Sequence, residues 1–299
     1  MSEQVLAMTT QSTVRSIADL VADIARVLAP SLGAQALDEA RDLLALMRDQ
    51  PRHWSVLHGD RPVTATEITD ARRAAEKRAA GAPLEYAVGR ASFRHLMLHV
   101  DERVLIPRPE TELLVEIVLS RTAGAHGGIA VDVGTGSGAI ALALATEGAF
   151  ARVIATDVSR DALDVARGNA SRLGARVDFR QGSLLGPVPE RGLCAVVSNP
   201  PYIAYEEAEA LPASVRDWEP AVALYSGASG MDATARLVAE AAPALAPWGV
   251  LALEVDARRS STAAELVVAH GAFDDVQVML DLTGRERFVV ARRRLEEKG

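Results

Sequence analysis

The chain reads as an α/β protein: an open, mostly parallel sheet preceded by a small helical domain and a linking β-hairpin. Three observations lead there. From residue 110 onward, short apolar runs alternate with stretches of helical periodicity. The first of these runs, 129–133, enters the glycine turn Gly134-Thr135-Gly136-Ser137-Gly138. The fourth, 193–198, stops in Asn199-Pro200-Pro201-Tyr202. Strand, glycine turn and helix in succession form the unit from which doubly wound sheets are built.

The elements follow in order. Ile17, Leu20, Val21, Ile24, Val27 and Leu28 recur at helical spacing, and the pattern stops at Pro30. Leu37, Leu43, Leu44 and Met47 give a second helix ending before Pro51. A third runs over 66–80, with Thr66 as N-cap and Gly81 as the stop. Residues 1–82 are thus expected to form a helical bundle. In 83–109, Phe93, Leu96, Leu98, Val100, Val104 and Ile106 alternate with polar residues, which predicts a β-hairpin linker. The remainder, 110–299, forms the sheet domain, with strands near 129–133, 152–156, 176–180, 193–198 and 249–255. Helices are expected at 111–120, 139–147, 160–173, 232–245 and 260–270, and an antiparallel pair, 276–280 with 287–291, closes the sheet.

A length of 299 residues accommodates one large and one small domain. The net charge of −8 argues against a general affinity for duplex nucleic acid, which needs clustered Lys and Arg. Arg90, Arg94, Arg103 and Arg108 leave a local basic patch open. The single cysteine, Cys194, falls inside the apolar fourth strand and reads as a small buried hydrophobe. The start, with Glu3 and polar residues, has no signal-peptide pattern, and no apolar run approaches the roughly 18 residues of a membrane span. The longest such run, 241–255, is interrupted by Pro243 and Pro247. These features fit a reducing, cytoplasmic setting.

The glycine turn is a nucleotide-type site, because glycines let a ligand approach the backbone at a helix N-terminus. The next strand ends in Asp157, whose carboxylate can accept hydrogen bonds from both hydroxyls of a ribose. Gly134, Gly136 and Ala139 also satisfy the looser dinucleotide pattern, so the turn alone leaves a dehydrogenase open. The Asp132-x-Gly134-x-Gly136-x-Gly138 spacing leans toward S-adenosylmethionine, which has no pyrophosphate to cradle. Asn199-Pro200-Pro201-Tyr202 decides between them. The Asn199 amide oxygen and the Pro200 carbonyl are two acceptors, neither proline offers a competing N–H, and the Tyr202 ring supplies a flat wall. Such a set holds a planar –NH2 group, which N-methylation needs and hydride transfer does not.

The chain resembles the glutamine-N5 methyltransferases of peptide chain release factors, over about residues 38–292. The resemblance rests on Pro83-Leu84-Glu85-Tyr86 with Gly89 and Phe93, and on Leu105-Ile106-Pro107-Arg108-Pro109-Glu110-Thr111-Glu112. Asp132 to Ile140 and Ser198 to Ile203 add to it, as do Val215-Arg216-Asp217-Trp218-Glu219-Pro220, Gly230-Met231 and Asp281-Leu282 with Arg285-Glu286-Arg287. The glycine loop is shared by many methyltransferases; the Ile-Pro-Arg-Pro-Glu-Thr-Glu and Asn-Pro-Pro-Tyr segments are the specific ones. The resemblance implies the seven-stranded, Rossmann-like sheet of class I S-adenosylmethionine-dependent methyltransferases. It further implies transfer of methyl to the glutamine of a Gly-Gly-Gln loop in a release factor, with S-adenosylhomocysteine as product. Gly134, Thr135, Gly136, Ser137, Gly138, Asp157, Leu184 and Asn199 would then hold the cofactor. Asn199, Pro200, Pro201 and Tyr202 would hold the glutamine, with Asn199, Pro200 and Tyr202 serving catalysis, while the helical domain grips the body of the release factor. Two departures stand out. Where the family has an acidic residue and an aromatic near adenine, this chain has Ser183 and Leu184. Where the family often has Glu-x-Gly-x-x-x-Gln, Glu254 leads into Asp256-Ala257-Arg258-Arg259.

Other polar residues carry weaker signals. Arg108 reads either as an anchor for the substrate loop or the cofactor, or as the ion-pair partner of Glu110 or Glu112, and Glu219 as a turn residue before Pro220. His95 and His99 fall in strand-like sequence, and His53, His58, His126 and His270 form no pattern, so no metal is expected. Three alternatives remain at this stage: a ribosomal-protein glutamine methyltransferase, a nucleic-acid exocyclic-amine methyltransferase, and a silent binding protein that keeps only the fold. The acidic charge disfavours the second, and the intact glycine loop and clamp disfavour the third.

Overall fold

A computed structural model describes residues 14–124 and 127–295; Glu3 and His126 lie outside them. The chain divides into two compact units, one up to Gly89 and one from Arg90.

In the first unit, α1 (Ile17–Leu32), α2 (Ala36–Arg48), α3 (Trp54–Leu57), α4 (Ala65–Ala79) and α5 (Leu84–Val88) enclose a core of Ile17, Leu20, Ile24, Leu28, Leu43, Leu44, Trp54 and Ala71. Ser16 and Asp19 form a capping box that starts α1. Helix α1 does not stop at Pro30 but continues to Leu32, where Gly33 caps it at φ 53°. Pro30 lacks an amide to donate to the Arg26 carbonyl, but only two helical residues follow it, so the pattern's end is not the helix's end. The N-cap of α4 is Thr64 and not Thr66, because Thr64 has Glu67 three residues on to close the reciprocal box. The buried Asp23 carboxylate accepts from Arg72 Nε at 2.6 Å and Arg26 at 2.8 Å, tying α1 to α4.

The expected hairpin over 83–109 is shorter. Its strands are β1 (Arg90–Phe93) and β2 (Leu96–His99), joined through Arg94 at φ 52°. Residues 84–88 are helical instead, since Pro83 opens a turn of helix formers that Gly89 ends at φ 77°. Val104 and Ile106 are buried but pair with no strand, so their alternation reports burial only.

The second unit continues with α6 (Pro109–Arg121), β3 (Ile129–Val133), α7 (Ala139–Glu147), β4 (Arg152–Asp157), α8 (Arg160–Leu173), β5 (Asp178–Gln181) and β6 (Leu193–Ser198). After α9 (Ala213–Arg216) and α10 (Ala221–Leu224) come α11 (Asp232–Ala244), β7 (Leu245–Glu254), α12 (Ser260–His270), β8 (Phe273–Leu280) and β9 (Glu286–Arg293). Seven strands form one sheet in the order β5-β4-β3-β6-β7-β9-β8, parallel except for β9, which runs antiparallel to both neighbours. Both faces are covered, which is why the central strands are mainly apolar, with Asp132, Thr156 and Ser198 as buried polar exceptions. Leu114, Val118 and Leu142 of α6 and α7 pack on one face; Leu237, Val238 and Val267 of α11 and α12 pack on the other.

The register places the site. Val133 lies opposite both Thr156 and Ser198, and Ser198 lies opposite Leu253. The next residues, Gly134, Asp157, Asn199 and Glu254, therefore share one rim, the carboxyl ends where ligands bind such sheets. Gly138, at φ 87°, ends the glycine turn, and a methyl there would meet Leu142 Cδ1 at 3.1 Å and Ala166 Cβ at 3.2 Å. Gly138→Ala should cost about 1–2 kcal/mol of unfolding free energy in urea titration, from the left-handed backbone alone. An unchanged midpoint would mean the turn can relax at no cost.

Candidate active site

A cavity of about 310 Å³ opens at the rim, lined by Gly134, Gly136, Asp157, Leu184, Asn199 and Pro200 among others. A second, of about 400 Å³, is lined by Arg108, Tyr202, Asp256 and Arg258. Asn199, with Leu105 and Ala223, lines both. The tetrapeptide thus stands at a partition: Pro200 and Pro201 face the first cavity, Tyr202 the second, and Asn199 each.

The glycine turn divides its labour. Gly134 (φ 73°) and Gly136 (φ 54°) line the first cavity, and a Cβ added to either would meet no atom within 4 Å. That open cradle fits a ligand lying against the backbone. Thr135, Ser137 and Gly138 do not line the cavity. The Thr135 hydroxyl donates to Asp132 Oδ2 at 2.6 Å, the Ser137 carbonyl accepts from Asn169 at 2.8 Å, and Gly138 packs on α7 and α8. Asp132, fully buried, also accepts the Ala141 amide, and burial pushes its carboxyl up to about 7.

Asp157 accepts the Gly136 and Ser159 amides, both at 2.9 Å, and burial raises its carboxyl above the ordinary value. Two bonds leave lone pairs on both oxygens for a diol. Leu184 adopts φ 48°, uncommon for a branched residue, and its carbonyl is anchored by the Thr156 hydroxyl at 2.8 Å. With Val158 and Ala162 it forms an apolar wall beside Gly182 and Ser183. Cradle, diol acceptor and apolar wall together fit S-adenosylmethionine.

At the partition, Asn199 Nδ2 donates to Thr111 Oγ1 at 3.2 Å, and the Thr111 hydroxyl donates to Glu254 Oε2 at 2.6 Å. Burial pushes Glu254 up to about 7, opposed by the Thr111 bond and by Arg287 and Arg108. Tyr202 is raised by burial to about 12 and stays a neutral phenol. Sequence reasoning gave Thr111 only as part of a motif and Glu254 only as a departure; the parallel register of β6 and β7 is the signal that would have joined Glu254 to Asn199.

Arg108 pairs with neither Glu110 nor Glu112. Its guanidinium reaches both oxygens of Glu219 at 2.7 Å, and Glu219 is 5 % exposed. Glu110 and Glu112 occupy the first turn of α6, where acidic side chains complement the helix dipole. The local basic patch that the sequence left open is largely neutralised: Arg94 binds Glu147 and Glu116, and Arg103 binds Asp101. Asp256 caps the short turn Ala257–Arg259, from which Arg258 and Arg259 both reach Glu207. This pins the segment Tyr205–Ala210 over the second cavity. His99 contacts Asp101, and Cys194 is half-buried with its thiol on the Ile129 carbonyl. Among the described residues no group of three or more His, Cys, Asp or Glu is placed to hold a metal, and no helix is long and apolar enough to cross a membrane.

Asp132 and Glu254 set a pH dependence of stability. Each is raised above its unfolded value, so between about pH 4 and 7 the native state binds more protons than the unfolded chain. Stability is then full below pH 4 on their account and falls as pH rises through about 7. Urea titrations should give a lower unfolding free energy at pH 7.5 than at pH 5.5; equal values would mean both carboxyls keep their ordinary range.

The family description "Methyltransferase small domain" matches residues 109–213, and "PrmC N-terminal domain" matches 19–89. A protein of Moorella thermoacetica named release factor glutamine methyltransferase is 46 % identical over 226 residues, 75 % of this chain and 80 % of that one. One of the same name from Deinococcus radiodurans is 41 % identical over 256 residues, covering 85 % and 90 %. A crystallised methyltransferase from Pyrococcus furiosus shares the fold at a TM-score of 0.52, with 19 % identity, over 67 % of this chain and 90 % of that one. With both regions matched and relatives this close over most of its length, the chain belongs to the release factor glutamine methyltransferase family.

Proposed function

We propose that this protein transfers the methyl group of S-adenosylmethionine to the side-chain amide nitrogen (N5) of the glutamine in the Gly-Gly-Gln loop of a peptide chain release factor, in the cytoplasm. The observation that carries this reading is the position of Asn199: it lines both cavities, with its Nδ2 already engaged by Thr111. Its Oδ1 is the atom left to meet a substrate, and an acceptor there suits an incoming –NH2.

A glutamine nitrogen is a poor nucleophile because its lone pair is delocalised into the carbonyl. Asn199 Oδ1 and the Pro200 carbonyl each take one of its N–H groups, which holds the nitrogen and favours partial pyramidalisation. Tyr202 packs flat on the amide. When bound, S-adenosylmethionine supplies an electrophilic sulfonium methyl: the nitrogen–carbon bond forms as the carbon–sulfur bond breaks, and S-adenosylhomocysteine leaves. The methylated nitrogen is acidic and releases its proton to water, so the site needs no strong base. Alignment of this kind can supply on the order of 7–11 kcal/mol of the barrier. The helical unit up to Gly89 grips the body of the release factor, while the second cavity takes the loop.

Intact-mass and peptide mass spectrometry of an unmethylated release factor, incubated with the protein and S-adenosylmethionine, tests the reading. A gain of one methyl on the loop glutamine, absent when that glutamine is alanine, is the expected result. Cofactor binding without any gain would overturn the substrate and turn attention to ribosomal-protein glutamines.

A further inference from the structure

We infer that Glu254, acting through the Thr111 hydroxyl, sets which end of the Asn199 amide meets the substrate, and is therefore a positioning residue for methyl transfer. The inference rests on the reading of Asn199 as the clamp for the acceptor amide.

The three residues come from separate elements. Asn199 follows β6, Glu254 ends β7, and Thr111 sits in the first turn of α6. Thr111 and Glu254 are 4 % and 1 % exposed, so each answers to the other and not to water. A carboxylate has no hydrogen, so the single Thr111 hydrogen goes to Glu254, at 2.6 Å. The Thr111 oxygen then has only lone pairs left for its second neighbour. Asn199 must offer it Nδ2, as observed at 3.2 Å, and the planar amide places Oδ1 on the opposite side.

Protonation of Glu254 removes this constraint. A carboxylic acid can donate to Thr111, Thr111 can then donate to Asn199, and the amide can turn. The clamp would present –NH2 to –NH2, and no bond forms between two donors. The charged groups facing Glu254 are Arg108 and Glu110 from the start of α6 and Arg287 from β9, with Tyr202 and Asp256 beside them. Arg287 donates to the Val255 carbonyl at 3.4 Å and lies 3.7 Å from Asp281, which fixes its turn by accepting from Thr283 and Arg285. The Asp281 to Arg287 motif thus brings a cation to the relay. Burial brings Glu254 to about 7, so the ionised form works above that pH and is lost below it.

The test uses the full chain with a release factor and S-adenosylmethionine. Wild-type kcat should fall about tenfold per pH unit below about pH 7, and Glu254→Gln, which has no proton to gain, should lack that acid limb. Thr111→Val, which keeps the shape and loses the hydroxyl, should lower kcat on the order of 10–100-fold. Its cofactor Kd and its KM for the release factor should stay within about threefold, and Thr111→Ser should restore turnover. A flat wild-type profile, an acid limb kept by Glu254→Gln, or a Thr111→Val enzyme of wild-type kcat would overturn the relay. The wild-type profile stands even if a variant fails to fold. Turnover surviving in Asn199→Ala would instead sink the clamp itself, so the two failures are separable.

Discussion

Asn199→Ala should lose on the order of 10²–10³-fold in methylation rate while keeping most of its affinity for S-adenosylmethionine. Removal of one preorganised hydrogen-bonding group at a reacting centre has that scale of effect, because the lost bond is aimed where charge develops. The asymmetry follows from where Asn199 stands. On the cofactor side it is one wall residue among many, whereas Gly134, Gly136 and Asp157 are untouched by the change. On the side proposed to take the substrate amide, it would supply one of two acceptors. Asn199→Asp is the informative companion. It keeps an acceptor oxygen, but Thr111 has already given its hydrogen to Glu254, so a second carboxylate would meet lone pairs. It too should be slow. Calorimetric titration of S-adenosylmethionine beside mass-spectrometric turnover separates the two effects; near wild-type turnover in Asn199→Ala would refute the assignment.

Asp157→Ala should do the reverse, weakening S-adenosylmethionine by about 10²-fold or more while sparing turnover at saturation. Hydrogen bonds to a charged group contribute about 1.5–3 kcal/mol each, and the carboxylate is expected to make two with the ribose. It also accepts the Gly136 and Ser159 amides, so its loss loosens the glycine turn against which the cofactor lies. Asp157→Asn, with one acceptor oxygen left, should fall between. The measurement is again calorimetric, with kcat determined at several cofactor concentrations. A Kd within threefold of wild type would remove Asp157 from the ribose site.

What the sequence made legible was local. The glycine turn and the Asn-Pro-Pro-Tyr segment are contiguous, each at a strand end, and alternating β and α patterns fix which ends share a rim. The helices at 139–147 and 160–173 have the expected bounds because Gly138, Ser159 and Gly174 mark their ends. The relay and the Arg108–Glu219 pair were not legible. Thr111 and Glu254 are separated by 143 residues, Arg108 and Glu219 by 111, and no periodicity links positions that only tertiary packing brings together. Arg108 shows why proximity in sequence misleads: Glu110 and Glu112 are nearer along the chain, but the helix turns them elsewhere. The run Asp256-Ala257-Arg258-Arg259 likewise looked only like a loss of the usual pattern, whereas folded it fastens the segment at the second cavity through Glu207.

The shared register of the central strands has a consequence for which kinds of change the gene can absorb. Gly134, Asp157, Asn199 and Glu254 meet because four strands end in step, with Ser198 opposite both Val133 and Leu253. Deleting one residue within 193–198 would draw Asn199 back by about 3.3 Å and turn its side chain to the other face of the sheet. The apolar strand would still bury itself, and the protein would fold without a clamp. Added residues in the connections at the opposite edge of the sheet would leave the alignment alone. Length variation in this lineage should therefore gather in those loops and spare the strands, a pattern set by geometry before selection on activity acts.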